Sequence, residues 1–436
     1  MLSADSLVTM RSTFNIILGF SLVLSGVSTI GCAGQTRTKK ISVVSHAKGT
    51  NNESSERALE LFRRARFGEL SKARGEGGEN WVQSLRPDWV SEEQDIADWN
   101  ARVAYRKGNT SVVLENLEGL NQRSHTNRLL TALLENVDQD APIRQSNMQR
   151  GIIALDLDAA ALAVGFPVVK MNMMGRNFRM LWDTGATENV LRPEVADELD
   201  LVRSDVQFTV MRQSAGYIVR FATTATEEMT LNKWSNKNVP WLITDLSTMD
   251  EIFGKGSSRI DGFLSPQLLL RDGCFAIDRQ AKRLLLGFGA SSCTDMMVSV
   301  TNKAPVFTWN GEVYTSARVN TSPELAVQVE TGSPVTFLRS DASRYLPRGA
   351  INGATAAQDD AADIAHELSR RVPFHVAGRE VSMTTIDLGA SRSSNGHDDI
   401  GTLGTDLLLN GNGVVVSFAT MEMGILSASD AIASVQ

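Results

Sequence analysis

Twice in this chain an apolar run ends in an acid followed by Thr-Gly. The first copy is Met180-Leu181-Trp182-Asp183-Thr184-Gly185-Ala186-Thr187, and the second is Val327-Gln328-Val329-Glu330-Thr331-Gly332-Ser333. Each run predicts a strand, and each Gly allows a tight turn that leaves the carboxylate at the strand tip rather than on a face. A lone Asp-Thr-Gly is also what an ordinary hairpin turn would carry. Its flanks argue for more: Phe178 stands before it, and Val190-Leu191 follow the polar turn, giving strand, loop, strand. A further pair of segments repeats the pattern, Asp261-Gly262-Phe263-Leu264-Ser265-Pro266-Gln267-Leu268-Leu269 and Ile400-Gly401-Thr402-Leu403-Gly404-Thr405-Asp406-Leu407-Leu408. Gly262 and Gly401 are 139 residues apart, and the two acids are 147 apart. Near-equal offsets imply a duplicated unit. Apolar strands Cys274-Phe275-Ala276-Ile277 and Val414-Val415-Val416 follow at the same 139 offset.

Two carboxylates at facing strand tips have a defined chemistry. Sharing one proton, the ionised member activates water while the protonated member polarises a carbonyl. The small hydroxyls of Thr184 and Thr331 can reach across to the opposite backbone and hold the loops in register.

On these motifs, residues 150–298 and 299–436 resemble two retropepsin-type aspartic protease lobes fused in one chain. The resemblance covers about two thirds of the sequence. It implies a mainly β fold in which the tandem lobes form a pseudo-dimer, and a monomer, because the second lobe occupies the surface that single-lobe relatives use to pair. It implies that Asp183 and Glu330 are the catalytic acids, supported by Thr184, Gly185, Ala186, Thr187, Thr331, Gly332 and Ser333. Leu403-Gly404 fits the family's later apolar-apolar-Gly motif, whereas Phe263-Leu264-Ser265 carries Ser in place of Gly. Glu330 is the main departure, since its extra methylene reaches about 1.5 Å further than Asp would. Pro334 is a second, standing where lobe one has the hydroxyl of Thr187. The segment 213–219, with Gly216 and Tyr217, is expected to form a flap hairpin over the cleft or an ordinary surface hairpin. In lobe two, Ala361 to Leu368 reads as helical, which makes the expected cleft asymmetric.

Upstream, Arg11 precedes an apolar run from Phe14 to Val27, then Ser28-Thr29-Ile30-Gly31-Cys32. Residues 1–32 are therefore read as a signal segment of lipoprotein type with Cys32 lipidated, or else as an uncleaved anchor. Either places the rest outside the cytoplasm, membrane-anchored in a cell envelope. Removing Cys32 leaves Cys274 and Cys293, an even pair that export would allow to form a disulfide. Residues 33–54 form a polar tether, and residues 55–140 a helical region with weak tetratricopeptide-like spacing, its turns marked at Phe67-Gly68 and Lys107-Gly108-Asn109.

Other chemistries find no support in the sequence. The five His residues lack His-Glu-x-x-His spacing, so no metal or other cofactor is expected. With 43 basic and 50 acidic residues and no basic cluster interleaved with aromatics, nucleic acid is not an expected partner. The leading expectation is an aspartic endopeptidase acting on peptide or unfolded protein. The alternative is a pseudo-protease that binds a peptide or partner protein without cutting, with the helical region as a docking surface.

Overall fold

The computed structural model describes residues 101, 104–118, 125–204, 208–211, 218–254, 256–309, 312–350, 365–389 and 400–426. Cys32, the tether, residues 55–100 of the helical region, and Gly216 and Tyr217 lie outside the described residues. What is described is mainly β: two lobes joined by a shared sheet, with a helical segment docked on the first.

The shared sheet sets the geometry. Its strands run in the order Gly151–Asp156, Arg283–Phe288, Cys274–Asp278, Gly413–Ser417, Glu422–Leu426 and the start of Ala304–Trp309. The first three belong to lobe one and the last three to lobe two. All these contacts are antiparallel, and the lobes meet where Cys274–Asp278 pairs with Gly413–Ser417. Because side chains alternate along a strand, Cys274–Asp278 serves two cores at once. Phe275 and Ile277 join the main core beside Trp182, while Cys274 and Ala276 face Cys293, Met296 and Met297. Cys274 and Cys293 are disulfide-bonded, with Cα atoms 5.5 Å apart. The bond ties the helix Gly289–Val298 to the sheet.

Each lobe repeats one local construction. In lobe one the strand Arg176–Trp182 pairs in parallel with Gly262–Leu264, which pairs antiparallel with Val190–Leu191. In lobe two Leu325–Val329 pairs in parallel with Gly401–Leu403, which pairs antiparallel with Phe337–Arg339. Registers correspond: Trp182 lies opposite Leu264 and Val329 opposite Leu403. Trp182 is fully buried and meets Phe275 edge-on at 5.7 Å between ring centroids, so the strand bearing Asp183 rests on the shared sheet.

Long hairpins complete both lobes, Ile218–Leu231 with Trp234–Ile243 and Ala365–Val376 with Arg379–Gly389. The second corrects the helical reading of Ala361 to Leu368 at residues 365–368; residues 361–364 lie outside the described residues. Residues 365–368 are strand, with Ala365 opposite Asp387 and Glu367 opposite Thr385. The turn at Ala377-Gly378, both in the left-handed region (φ 48° and 67°), sends the chain back alongside this segment. Cross-strand pairing then outweighs the helix propensity of its Ala, Glu and Leu residues. In lobe one, Phe208–Met211 pairs with the start of Ile218–Leu231, so the stem of a hairpin stands where a flap is expected.

The helices Thr110–Glu118 and His125–Glu135 dock on lobe one. Leu130, Leu133, Leu134 and Val137 share a buried cluster with Phe221, Leu242 and Phe263. Each leucine so buried contributes about 1.5–3 kcal/mol relative to exposure. The Thr223 hydroxyl donates to the Ala132 carbonyl at 2.6 Å, fixing the seating.

Candidate functional site

Both acid loops hang from their strands in the same way. The Asp183 amide donates to the Leu264 carbonyl at 3.0 Å, and the Glu330 amide donates to the Leu403 carbonyl at 3.0 Å. Both acids are buried, 2% and 1% exposed, and so they lie at the bottom of the joint between lobes rather than on a free surface.

The threonines lock the loops to each other. Thr184 Oγ1 donates to the Val329 carbonyl at 2.6 Å and accepts the Thr331 amide at 3.0 Å. Reciprocally, Thr331 Oγ1 donates to the Trp182 carbonyl at 2.7 Å and accepts the Thr184 amide at 3.1 Å. Four hydrogen bonds, all buried, thus cross the lobe boundary beneath the two acids.

Gly332 brings the second loop onto the first acid. A Cβ at this position would lie 2.3 Å from Asp183 Cγ, so only glycine allows the approach. Burial raises the Asp183 carboxyl, and even against the downward pull of hydrogen bonds from the amides of Gly185, Gly332 and Ala186 it stands at about 6. The Gly185 amide lies 2.8 Å from Asp183 Oδ1. Desolvation favours the proton while the amides favour the charge, which poises this carboxyl for exchange in mildly acidic water.

Among the other residues singled out in the sequence, Ala186 and Thr187 are buried in the Asp183 loop, and Ser333 closes the Glu330 loop by donating to the Val335 carbonyl at 2.7 Å. Pro334 packs against Gly165 of lobe one, where a Cβ would stand 2.9 Å from the proline Cβ. Beside it, Thr405 Oγ1 donates to the Gly165 carbonyl at 2.6 Å. The departure at Pro334 is therefore an inter-lobe contact.

A supporting layer escaped the sequence reading. Asn189 Oδ1 accepts the Ser265 amide at 2.9 Å, and Thr336 Oγ1 accepts the Gly404 amide at 3.1 Å. Gln267 Nε2 donates to the carbonyls of Ala186 at 2.7 Å and Thr184 at 3.3 Å. In lobe two Asp406 takes the Gln267 position and accepts from Thr336 Oγ1 at 2.7 Å, with burial raising its carboxyl. The repeat offsets were the available signal: 147 carries Asn189 onto Thr336, and 139 carries Gln267 onto Asp406.

Residues 169–265 match the family model described as aspartyl protease. Among solved structures, the chain is similar to a retropepsin-like aspartic protease from Rickettsia conorii, at 17% identity over 33% of this chain and 95% of that one, with a TM-score of 0.23. It is also similar to Basic 7S globulin from soybean, at 12% identity over 66% of this chain and 99% of that one, with a TM-score of 0.37. No curated protein matches it. The family match takes in the Asp183 loop and the segment hydrogen-bonded to it, and so it is lobe one that is similar to the aspartyl protease family.

Proposed function

We propose that this protein is an aspartic endopeptidase that hydrolyses extended peptide segments with Asp183 and Glu330 sharing one proton. The observation that carries the proposal is that the Asp183 carboxylate takes hydrogen bonds from both loops, through Gly185 and Ala186 of its own lobe and Gly332 of the other. In the proposed reaction the ionised member of the pair removes a proton from water, and the water oxygen bonds to the peptide carbonyl carbon. The protonated member gives its proton to the carbonyl oxygen. Collapse of the tetrahedral species breaks the C–N bond as a proton passes to the departing nitrogen.

The proposed setting is a cell envelope, with the chain exported and tethered by lipid on Cys32. The Cys274–Cys293 disulfide supports export, since such bonds persist in oxidising compartments. The proposed partners are peptide or unfolded protein and the membrane at the anchor.

A second reading has its own observation. The two acid loops have the same backbone support, so the extra methylene of Glu330 is not absorbed by a change in its hydrogen bond to Leu403. A misplacement of about 1 Å costs on the order of a hundredfold in rate, which favours a cleft that binds peptides and cuts slowly or not at all. Incubating unfolded proteins with wild type and Asp183→Asn from acidic to neutral pH separates the two. Cleavage lost in the variant supports the peptidase; identical behaviour of both proteins rejects it.

A further inference from the structure

The Asp183 loop is held from outside by a part of the chain that neither repeat contains. Tyr105, buried within the helical residues 104–107, donates its hydroxyl to Glu188 Oε2 at 2.8 Å. Glu188 follows Thr187 directly on the loop. The guanidinium of Arg144, itself 1% exposed, lies 4.5 Å over the Tyr105 ring and donates to the Tyr105 carbonyl. Arg144 is a non-glycine residue in the left-handed region (φ 55°), and its amide donates to the Asn238 carbonyl of lobe one at 3.0 Å. Arg271 then donates to the carbonyls of Ile143 at 2.6 Å and Arg144 at 3.0 Å. Arg271 stands just beyond the helix Pro266–Leu269, which carries Gln267 back to the carbonyls of Ala186 and Thr184.

The contacts close a ring: loop, Tyr105, Arg144, Arg271, Gln267, loop. We propose that Tyr105 is a positioning residue for the Asp183 loop, and that residues 104–144 are the outer half of this ring rather than an independent module. The proposal rests on reading Asp183 as a catalytic acid. The ring grips the loop at the Thr184 and Ala186 carbonyls and at Glu188; the Ala186 amide donates to the Asp183 carboxylate, and its side chain shares a buried cluster with Tyr105. Gly108 (φ 72°) turns the chain directly over the Arg271 contact, where a Cβ would fall 2.6 Å from the Ile143 carbonyl oxygen.

Among the described residues, lobe two has no such ring. The repeat offsets put Val335 at the Glu188 position and Asn410 at that of Arg271. Its loop is instead braced on lobe one through Pro334, Thr405 and Gly165. Among the described residues, the two halves of the site are steadied by different devices, that of lobe one running through the helical segment and that of lobe two through Gly165.

The test uses Tyr105→Phe, Glu188→Ala, the double variant, and Glu188→Gln, which keeps an oxygen acceptor. The expected result is a fall in kcat of about tenfold in each of the first two with KM unchanged, a double variant no worse than either, and most of the rate retained in Glu188→Gln. A second readout needs no activity: the Asp183 carboxyl titration by carbon-13 NMR, assigned by its absence in Asp183→Asn. Its midpoint is expected to move in Tyr105→Phe and Glu188→Ala by equal, non-additive amounts. An unmoved midpoint, or shifts that add, overturns the proposal whatever the rates do. If the wild type cleaves nothing, the peptidase reading fails while the midpoint still decides this one. Should Tyr105→Phe not fold, Glu188→Ala carries the same test with Tyr105 in place.

Discussion

Thr184 and Thr331 each donate a hydroxyl hydrogen bond to, and accept an amide hydrogen bond from, the opposite lobe. All four bonds are buried, so removing the Thr184 hydroxyl strands both the Val329 carbonyl and the Thr331 amide of lobe two. Thr184→Val is expected to lower stability by about 2–4 kcal/mol. Thr184→Ser, which keeps the hydroxyl, should recover most of the loss. Urea unfolding of the two variants checks this, and equal destabilisation by both would assign the effect to packing rather than to hydrogen bonding.

Glu330 hangs from Leu403 as Asp183 hangs from Leu264, so shortening its side chain should correct its reach without disturbing the loop. Glu330→Asp is expected to raise kcat by about 10- to 100-fold. Steady-state kinetics on an unfolded protein substrate would measure it. An unchanged rate would mean that side-chain length is not what limits the site.

Burial lifts the Asp183 carboxyl from its ordinary 3.8 to about 6. Between those values the unfolded chain gives up this proton first, so stability falls as pH rises through the window and levels off above about 6. Asn cannot ionise but still offers an oxygen to the loop amides. Asp183→Asn should therefore be more stable than wild type at pH 7 by roughly 1–3 kcal/mol, with the gain vanishing below about pH 4. Denaturant unfolding at both pH values gives the comparison, and a gain that does not depend on pH would refute the assignment to this carboxyl.

The Cys274–Cys293 bond closes a segment of 19 residues containing the strand Arg283–Phe288. On the chain-entropy model, its loss costs about 3 kcal/mol. Unfolding with and without reductant should show that difference, and mass spectrometry should show two thiols appearing. A protein equally stable when reduced would remove the bond from the account.

Much of the fold was written in the repeat. The 139-residue offset between Gly262 and Gly401 is also the separation of Ala276 and Val415, which lie opposite each other where the lobes join. A residue facing its own duplicate is what a two-fold arrangement of copied units requires, so the sequence repeat and the ladder register express one symmetry. The acids, their threonines and the glycine that admits Asp183 were legible for the same reason. Residues 365–368 were not, because their strand depends on a partner some twenty residues downstream. Nor was the contact between Tyr105 and Glu188, 83 residues apart and outside the repeat. Nothing local in either residue announces the other.

The claim on which the rest depends is that Glu330 works jointly with Asp183. Initial rates of cleavage of an unfolded protein at about pH 5, measured for wild type and Glu330→Gln, test it most directly. The expected result is cleavage by the wild type, declining above about 6 as the Asp183 carboxyl loses its proton, and none above background from the variant. A Glu330→Gln protein that cuts at the wild-type rate would contradict it.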